Sequence, residues 1–154
     1  LQGDARGTSW TKRWAIAEPL DFQSLDNQKW GPFRESGHFL AHNKEEWVSE
    51  VRTLVGGSAD LVALAATAPV VDWDRHAVIL VAMGECRTSC YDIEIREVRR
   101  LGSRILIKVD RTYPGPGQFC SQVFTSPYHL ILIERHPAVK WVEELVPRGR
   151  KKGH

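Results

Sequence analysis

The side chains able to make bonds or hold an ion are few, and their spacing limits what they can do. Cysteines stand at Cys86, Cys90 and Cys120. Cys86 and Cys90 are spaced C-x3-C, but a structural zinc site takes four ligands, and no second Cys pair or spaced His pair completes one. A catalytic thiolate needs a histidine and an orienting group beside it. His38, His42, His76, His129 and His136 stand in no local signature of that kind and share no face at ligand spacing. Ser89, Ser121 and Ser126 lack a nucleophile elbow or an S-x-x-K pattern. Asp72, Asp74 and Glu85 are not forced together as an acid/base pair and read as surface carboxylates. Tyr113–Gly117, YPGPG, has no following lysine and no helix to donate backbone amides, so it is a rigid turn and not a phosphate loop. These residues predict no catalytic centre, no metal and no cofactor.

The cysteines leave two readings open. One is a Cys90–Cys120 disulfide with Cys86 free; the other is ordinary reduced thiols. The bond would close a loop of about thirty residues and stabilise the fold by about 3–4 kcal/mol on a chain-entropy argument. It would also imply an oxidising compartment. The enzyme-class alternative is a thiol-dependent activity at Cys86 or Cys90.

The elements that must position these groups centre on Val71–Val98. Ala77–Met83 is a continuous apolar run of buried-strand length. After a turn cluster at Gly84–Ser89, Tyr91, Ile93 and Ile95 alternate with Asp92, Glu94 and Arg96, which reads as a half-exposed neighbour strand. Further strands are expected at Gly37–His42, Arg104–Asp110, Phe119–Phe124, Tyr128–Ile133 and Val139–Leu145, with a short one at Lys12–Glu18 carrying Trp14 and Ile16 on one face. Leu20–Glu35 reads as loop, with Trp30, Pro32 and Phe33 as its expected anchors onto the core. One helix is well signalled, Asn43–Gly56. Asn43 caps it, Glu46 stands at the reciprocal position of a capping box, Trp47, Val51 and Leu54 form one stripe, and Gly56 stops it. Ser58–Thr67 is a candidate second, short helix. The strand spacing leaves no room for crossover helices and implies antiparallel pairing.

The expected fold is therefore α+β and mainly antiparallel: a small β-sandwich or partly open barrel with one covering helix, Asn43–Gly56. Residues 1–35 are expected as a partly mobile N-terminal extension and 36–146 as the β-rich domain. Residues 147–154 are expected as a disordered basic tail, overlapping a thrombin-like LVPRG at Leu145–Gly149. The chain opens on Leu1 rather than Met, as either a processed product or an excised piece of a longer chain would. A formal charge of +2 does not argue for nucleic acid. No apolar run approaches the roughly 18–20 residues of a membrane span.

Gly84–Tyr91, Tyr113–Gly117 and Ser126–Tyr128 carry aromatic or Pro/Gly character. Loops on a rigid β scaffold are common binding surfaces, and Tyr is favoured at contact anchors. Arg87, Thr88, Tyr91, Tyr113 and Tyr128 are the candidate contacts with a partner.

The series PVVDWDRHAVILVAMGE, TSCYDIEI, YPGPG and TSPYHLILI resembles the C-terminal domain of the PrcB family of protease complex subunits. The shared pattern is a P-x-V-D-[FW] lead-in, an apolar strand ending in Gly, a T-G-G-Y turn, a Pro/Gly turn and a T-x-P entering the last strands. It covers roughly residues 38–142. Thr88-Ser89-Cys90-Tyr91 stands where Thr-Gly-Gly-Tyr is expected. Either the turn has changed type or a Cys90 disulfide holds it. The resemblance implies a β-rich, extracytoplasmic (periplasmic, cell-surface or secreted) domain with no enzymatic activity, an accessory subunit that binds and stabilises a protease. Its partner would be a peptidase, with no nucleic acid and no membrane insertion. The turn is also similar in shape to the T-T-G-Y loop of chagasin-like inhibitors. The alternative is accordingly a protease inhibitor that inserts these loops into an active-site cleft.

Overall fold

The computed structural model describes residues 10–56 and 60–145. Its centre is the strand β4, His76–Ala82. Ala77, Ile79 and Val81 face one cluster of buried residues, while Val78, Leu80 and Ala82 face another. A strand buried on both faces needs apolar residues at every position, which is why HAVILVA does not alternate.

In chain order the other elements are helix α1 (residues 10–16), β1 (Glu18–Pro19), β2 (Phe22–Gln28), β3 (Gly37–Ala41), α2 (Lys44–Val55) and α3 (Leu61–Ala66). After β4 come β5 (Asp92–Leu101), β6 (Arg104–Thr112), β7 (Tyr128–Glu134) and β8 (Trp141–Glu144). They build two sheets, ordered β1-β5-β6-β8 and β2-β7-β4-β3. The sandwich core lies between them, with Ile79, Val81, Ile131 and Ile133 meeting Ile93, Ile95, Ile105 and Ile107. The outer face of the second sheet is covered by α2 and α3, through Trp47, Val51, Leu54 and Leu64. The fold is thus an α+β sandwich, open at its edges.

Helix α2 forms as the sequence dictates. Asn43 Oδ1 accepts the Glu46 backbone N–H at 2.8 Å, and Trp47, Val51 and Leu54 are its buried stripe. Gly56, at φ 77°, donates its N–H to Arg52 O and ends the helix. Glu46 returns its carboxylate one residue further back than a capping box would, accepting from His42 N at 2.7 Å and contacting His42 Nδ1 at 3.0 Å. The short α3 is likewise capped, by Asp60.

Several expectations are corrected. Lys12–Glu18 is not a strand: residues 10–16 are helical, and a period near 3.6 puts Trp10, Trp14 and Ala17 on the outer face of the first sheet against Leu106 and Leu145. Trp14 is 7% exposed and Ile16 72%, so the two do not share a face. Leu20–Glu35 contains β2, a polar edge strand with a bulge between Ser24 and Asp26. Its outer edge is open, so it has no reason to be apolar. Residues 10–28 thus supply α1 and one strand to each sheet, and Asn43–Gly56 is not the only covering helix. Pairing between these strands is antiparallel except for β6–β8, which is parallel. Phe119–Phe124 is not a strand. The basic tail lies outside the described residues.

A bulge in β5 explains a break in its pattern. Ile95 opposes Val109 and Glu97 opposes Lys108, with Arg96 the extra residue. The inward face therefore runs Ile93, Ile95, Val98 and not Ile93, Ile95, Glu97.

Candidate docking site at the loop end

The strand register gathers the candidate loops. Ala82 is opposite both Gly37 and Tyr128, Gln28 is opposite Tyr128, and Asp92 is opposite Thr112. The β2–β3, β4–β5 and β6–β7 connections therefore leave from one end of the sandwich. They are knitted together by backbone. Cys86 and Thr125 exchange hydrogen bonds of 2.7 and 2.9 Å, and Ser126 N donates to Lys29 O at 2.7 Å. Lys29 Nζ reaches Ser89 O at 2.6 Å, and Thr125 Oγ1 donates to Thr88 O at 2.8 Å. Ser126 Oγ donates to Phe33 O at 2.6 Å.

The turn without its two glycines is built differently. No non-glycine residue among those described has a positive φ, so Ser89 and Cys90 are not strained. Thr88 Oγ1 accepts the Cys90 N–H at 3.3 Å, a side-chain substitute for a backbone turn. Cys90 is joined to Cys120 by a disulfide with Cα atoms 5.6 Å apart. Gly84, just before the turn, does need to be glycine. Its φ is 81°, and a Cβ there would lie 2.8 Å from Ser36 N.

On this platform Arg87 is exposed and Thr88 half-buried. Tyr91 and Tyr113 meet edge to face, ring centroids 6.1 Å apart at 80°. Tyr128 is turned to a different task. Its ring packs edge-on against Phe33 at 5.3 Å, and its hydroxyl donates to Asp26 at 2.5 Å. Burial and the neighbouring Asp26 carboxylate push its phenol well above the usual range. It supports the platform from within.

Sequence reading missed the most exposed apolar groups on this end. Phe119 is 93% exposed, Phe124 68% and Trp30 63%. Phe119 and Phe124 are expected above as strand residues and Trp30, Pro32 and Phe33 as core anchors, but of those three only Phe33 is buried. The signal against a strand was there, in the Pro/Gly density of Tyr113–Gly117 followed by the polar Gln118, Ser121 and Gln122.

The groups with reactive chemistry are engaged elsewhere. Cys86, the free thiol, is buried, donates weakly to Gly84 O at 3.6 Å, and is pushed up by that burial, away from a reactive thiolate. Ser24 Oγ and His129 Nε2 are 2.8 Å apart, a pair that resembles a nucleophile and its base. However, the Ile95 backbone N–H donates to His129 Nδ1 at 2.9 Å. The neutral ring must then carry its proton on Nε2 and donate to Ser24, the reverse of what a general base requires. Among the described residues no group of three or more His, Cys, Asp or Glu is placed to hold a metal ion. No helix among them is long and apolar enough to cross a membrane. A cleft of about 400 Å³ lies at the opposite end of the sandwich, lined in part by His42, Glu46, Glu50, Arg135 and Lys140.

No curated protein and no solved structure matches this chain. Residues 77–134 match the family model described as PrcB C-terminal. That span runs from β4 through β7 and includes two of the gathered loops, the Thr88–Tyr91 turn and the Tyr113–Phe124 segment. Over these residues the chain is similar to the PrcB C-terminal domain, as its ordered motifs had indicated.

Proposed function

We propose that this domain is a non-catalytic accessory subunit of an extracytoplasmic protease, and that it docks through the loop end of the sandwich. The observation that carries the reading is the convergence of Arg87, Tyr91, Tyr113, Phe119, Phe124 and Trp30 on one rigid end, within or beside the family match. Exposed aromatics with an adjacent Arg, held by preformed backbone, have the composition of contact anchors. Rigid presentation lowers the ordering cost of binding. The Cys90–Cys120 bond favours an oxidising compartment.

Affinity purification of the tagged chain from its native host under gentle extraction tests this. The expected result is one peptidase recovered at near-stoichiometric yield, whose lifetime shortens when the subunit is deleted. Repeated recovery of the chain alone would overturn it. A second reading, inhibition, draws on the Phe119 loop, an exposed projection tethered by a disulfide. Titration against cysteine, serine and metallo-peptidases separates the two, because only an inhibitor abolishes turnover at equimolar ratio.

A further inference from the structure

The loop that carries Phe119 has an unusual attachment. None of residues 113–124 is buried, and none belongs to any of the core clusters. Among the described residues, every hydrogen bond leaving 114–124 goes to Ser89, and the disulfide sulfur of Cys90 adds only a contact. Ser89 N donates to Ser121 O at 3.1 Å, Ser121 N donates to Ser89 Oγ at 3.0 Å, and Cys90 Sγ lies 3.6 Å from Phe119 O. The disulfide closes at the same place. The loop's one aromatic contact, Tyr113 on Tyr91, lies at its first residue, and a segment of this length with no apolar anchor beyond that does not repay the entropy of being ordered. Its covalent tie therefore carries the ordering.

We propose that the Cys90–Cys120 bond is a redox latch: it holds the Tyr113–Phe124 loop in its docking form, and a dithiol reductant releases the loop while the sandwich stays folded. This rests on the docking reading above. The exchange balances simply. One thiolate of the dithiol attacks a latch sulfur to give a mixed disulfide and one cysteine thiolate, and the second thiol closes on the mixed disulfide to release the other cysteine. The reductant leaves as a disulfide, and two electrons and two protons have passed to Cys90 and Cys120. Cys86 does not intercept the exchange, because it is buried behind Gly84 and Thr125. The bond itself is half-exposed.

Backbone 15N relaxation of the intact chain, oxidised and after dithiothreitol, reads the latch without any partner. In the oxidised protein the order parameters of residues 115–124 should approach those of rigid backbone, about 0.85; after reduction they should fall below about 0.6, with the β4 and β6 signals unmoved. Alkylation of the reduced protein should label Cys90 and Cys120 and spare Cys86 until denaturant is added. A Cys90→Ser/Cys120→Ser double variant should show the same loop mobility without reductant. Unchanged order on reduction, low order before it, or loss of the β4 and β6 signals with it would each overturn the latch. A loop freed on reduction in a chain that never recovers a peptidase would uphold the latch and remove the docking reading. A recovered peptidase with an unresponsive loop would do the reverse.

Discussion

The Ile95 backbone N–H donates to His129 Nδ1 across the interior of the sandwich, 2.9 Å from a strand of one sheet to a side chain of the other. This bond, continued from Nε2 to Ser24, ties β5 to β7 and β2. It needs a neutral ring, since imidazolium has two donors and no acceptor.

Stability should therefore fall on mild acidification. Burial holds the His129 pKa below its ordinary value, against the pull of Glu94, Asp92 and Asp26. The unfolded chain takes up the proton near pH 6.5, before the folded chain does. The contribution is complete above pH 6.5 and is lost as pH drops from there through the lower folded value. Melting temperature followed from pH 8 to pH 5 should decline below 6.5. His129→Gln should flatten that decline while lowering the whole curve.

Helix α1 should be integral to the domain. Trp14 is buried against Leu106 and Leu145, with Arg99 4.6 Å and Lys108 4.4 Å from its ring. Trp14→Ala should cost about 3–5 kcal/mol in urea unfolding. Ile16→Ala, two residues on and exposed, should stay within about 0.5 kcal/mol. Were Lys12–Glu18 a strand with both side chains inward, both changes would hurt.

The cap of α2 gives a smaller, well-defined effect. Asn43→Ala removes the acceptor of the Glu46 N–H and should cost about 1 kcal/mol, with Asn43→Ser restoring most of it.

Binding and folding should separate at the loop end. Phe119→Ser touches no buried group, so its unfolding curve should match the parent within about 0.5 kcal/mol. Its affinity for the recovered peptidase should drop at least about tenfold, a loss of about 1.4 kcal/mol. Gly84→Ala should do the opposite, lowering stability by about 1–3 kcal/mol through backbone strain and the Ser36 approach.

How far the chain could be read in advance follows from where its signals are local. The doubly buried β4 and the capped α2 announce themselves, because burial on both faces and a cap three residues before a Glu leave direct marks. The N-terminal segment did not, because Trp14 and Ile16 fit a strand as well as Trp10, Trp14 and Ala17 fit a helix. Only the presence of Leu106 and Leu145 beneath decides between them. The strand β2 has no apolar alternation because one of its edges and much of its surface meet water. The parallel β8 depends on a return path that no local pattern encodes. At the candidate site, Arg87, Tyr91 and Tyr113 were legible from loop chemistry. Phe119 and Phe124 were not, since their exposure depends on the absence of a strand partner.

A protein that holds bare phenylalanines in water must keep its flanks unattractive to copies of itself. The sheet margins do this. One sheet ends in the two-residue β1 and the four-residue β8, too short to template an incoming chain. The other ends on one side in β2, kinked at Ser24 and bearing Asp26. At these three margins lateral growth into fibrils has no straight, apolar edge to start from.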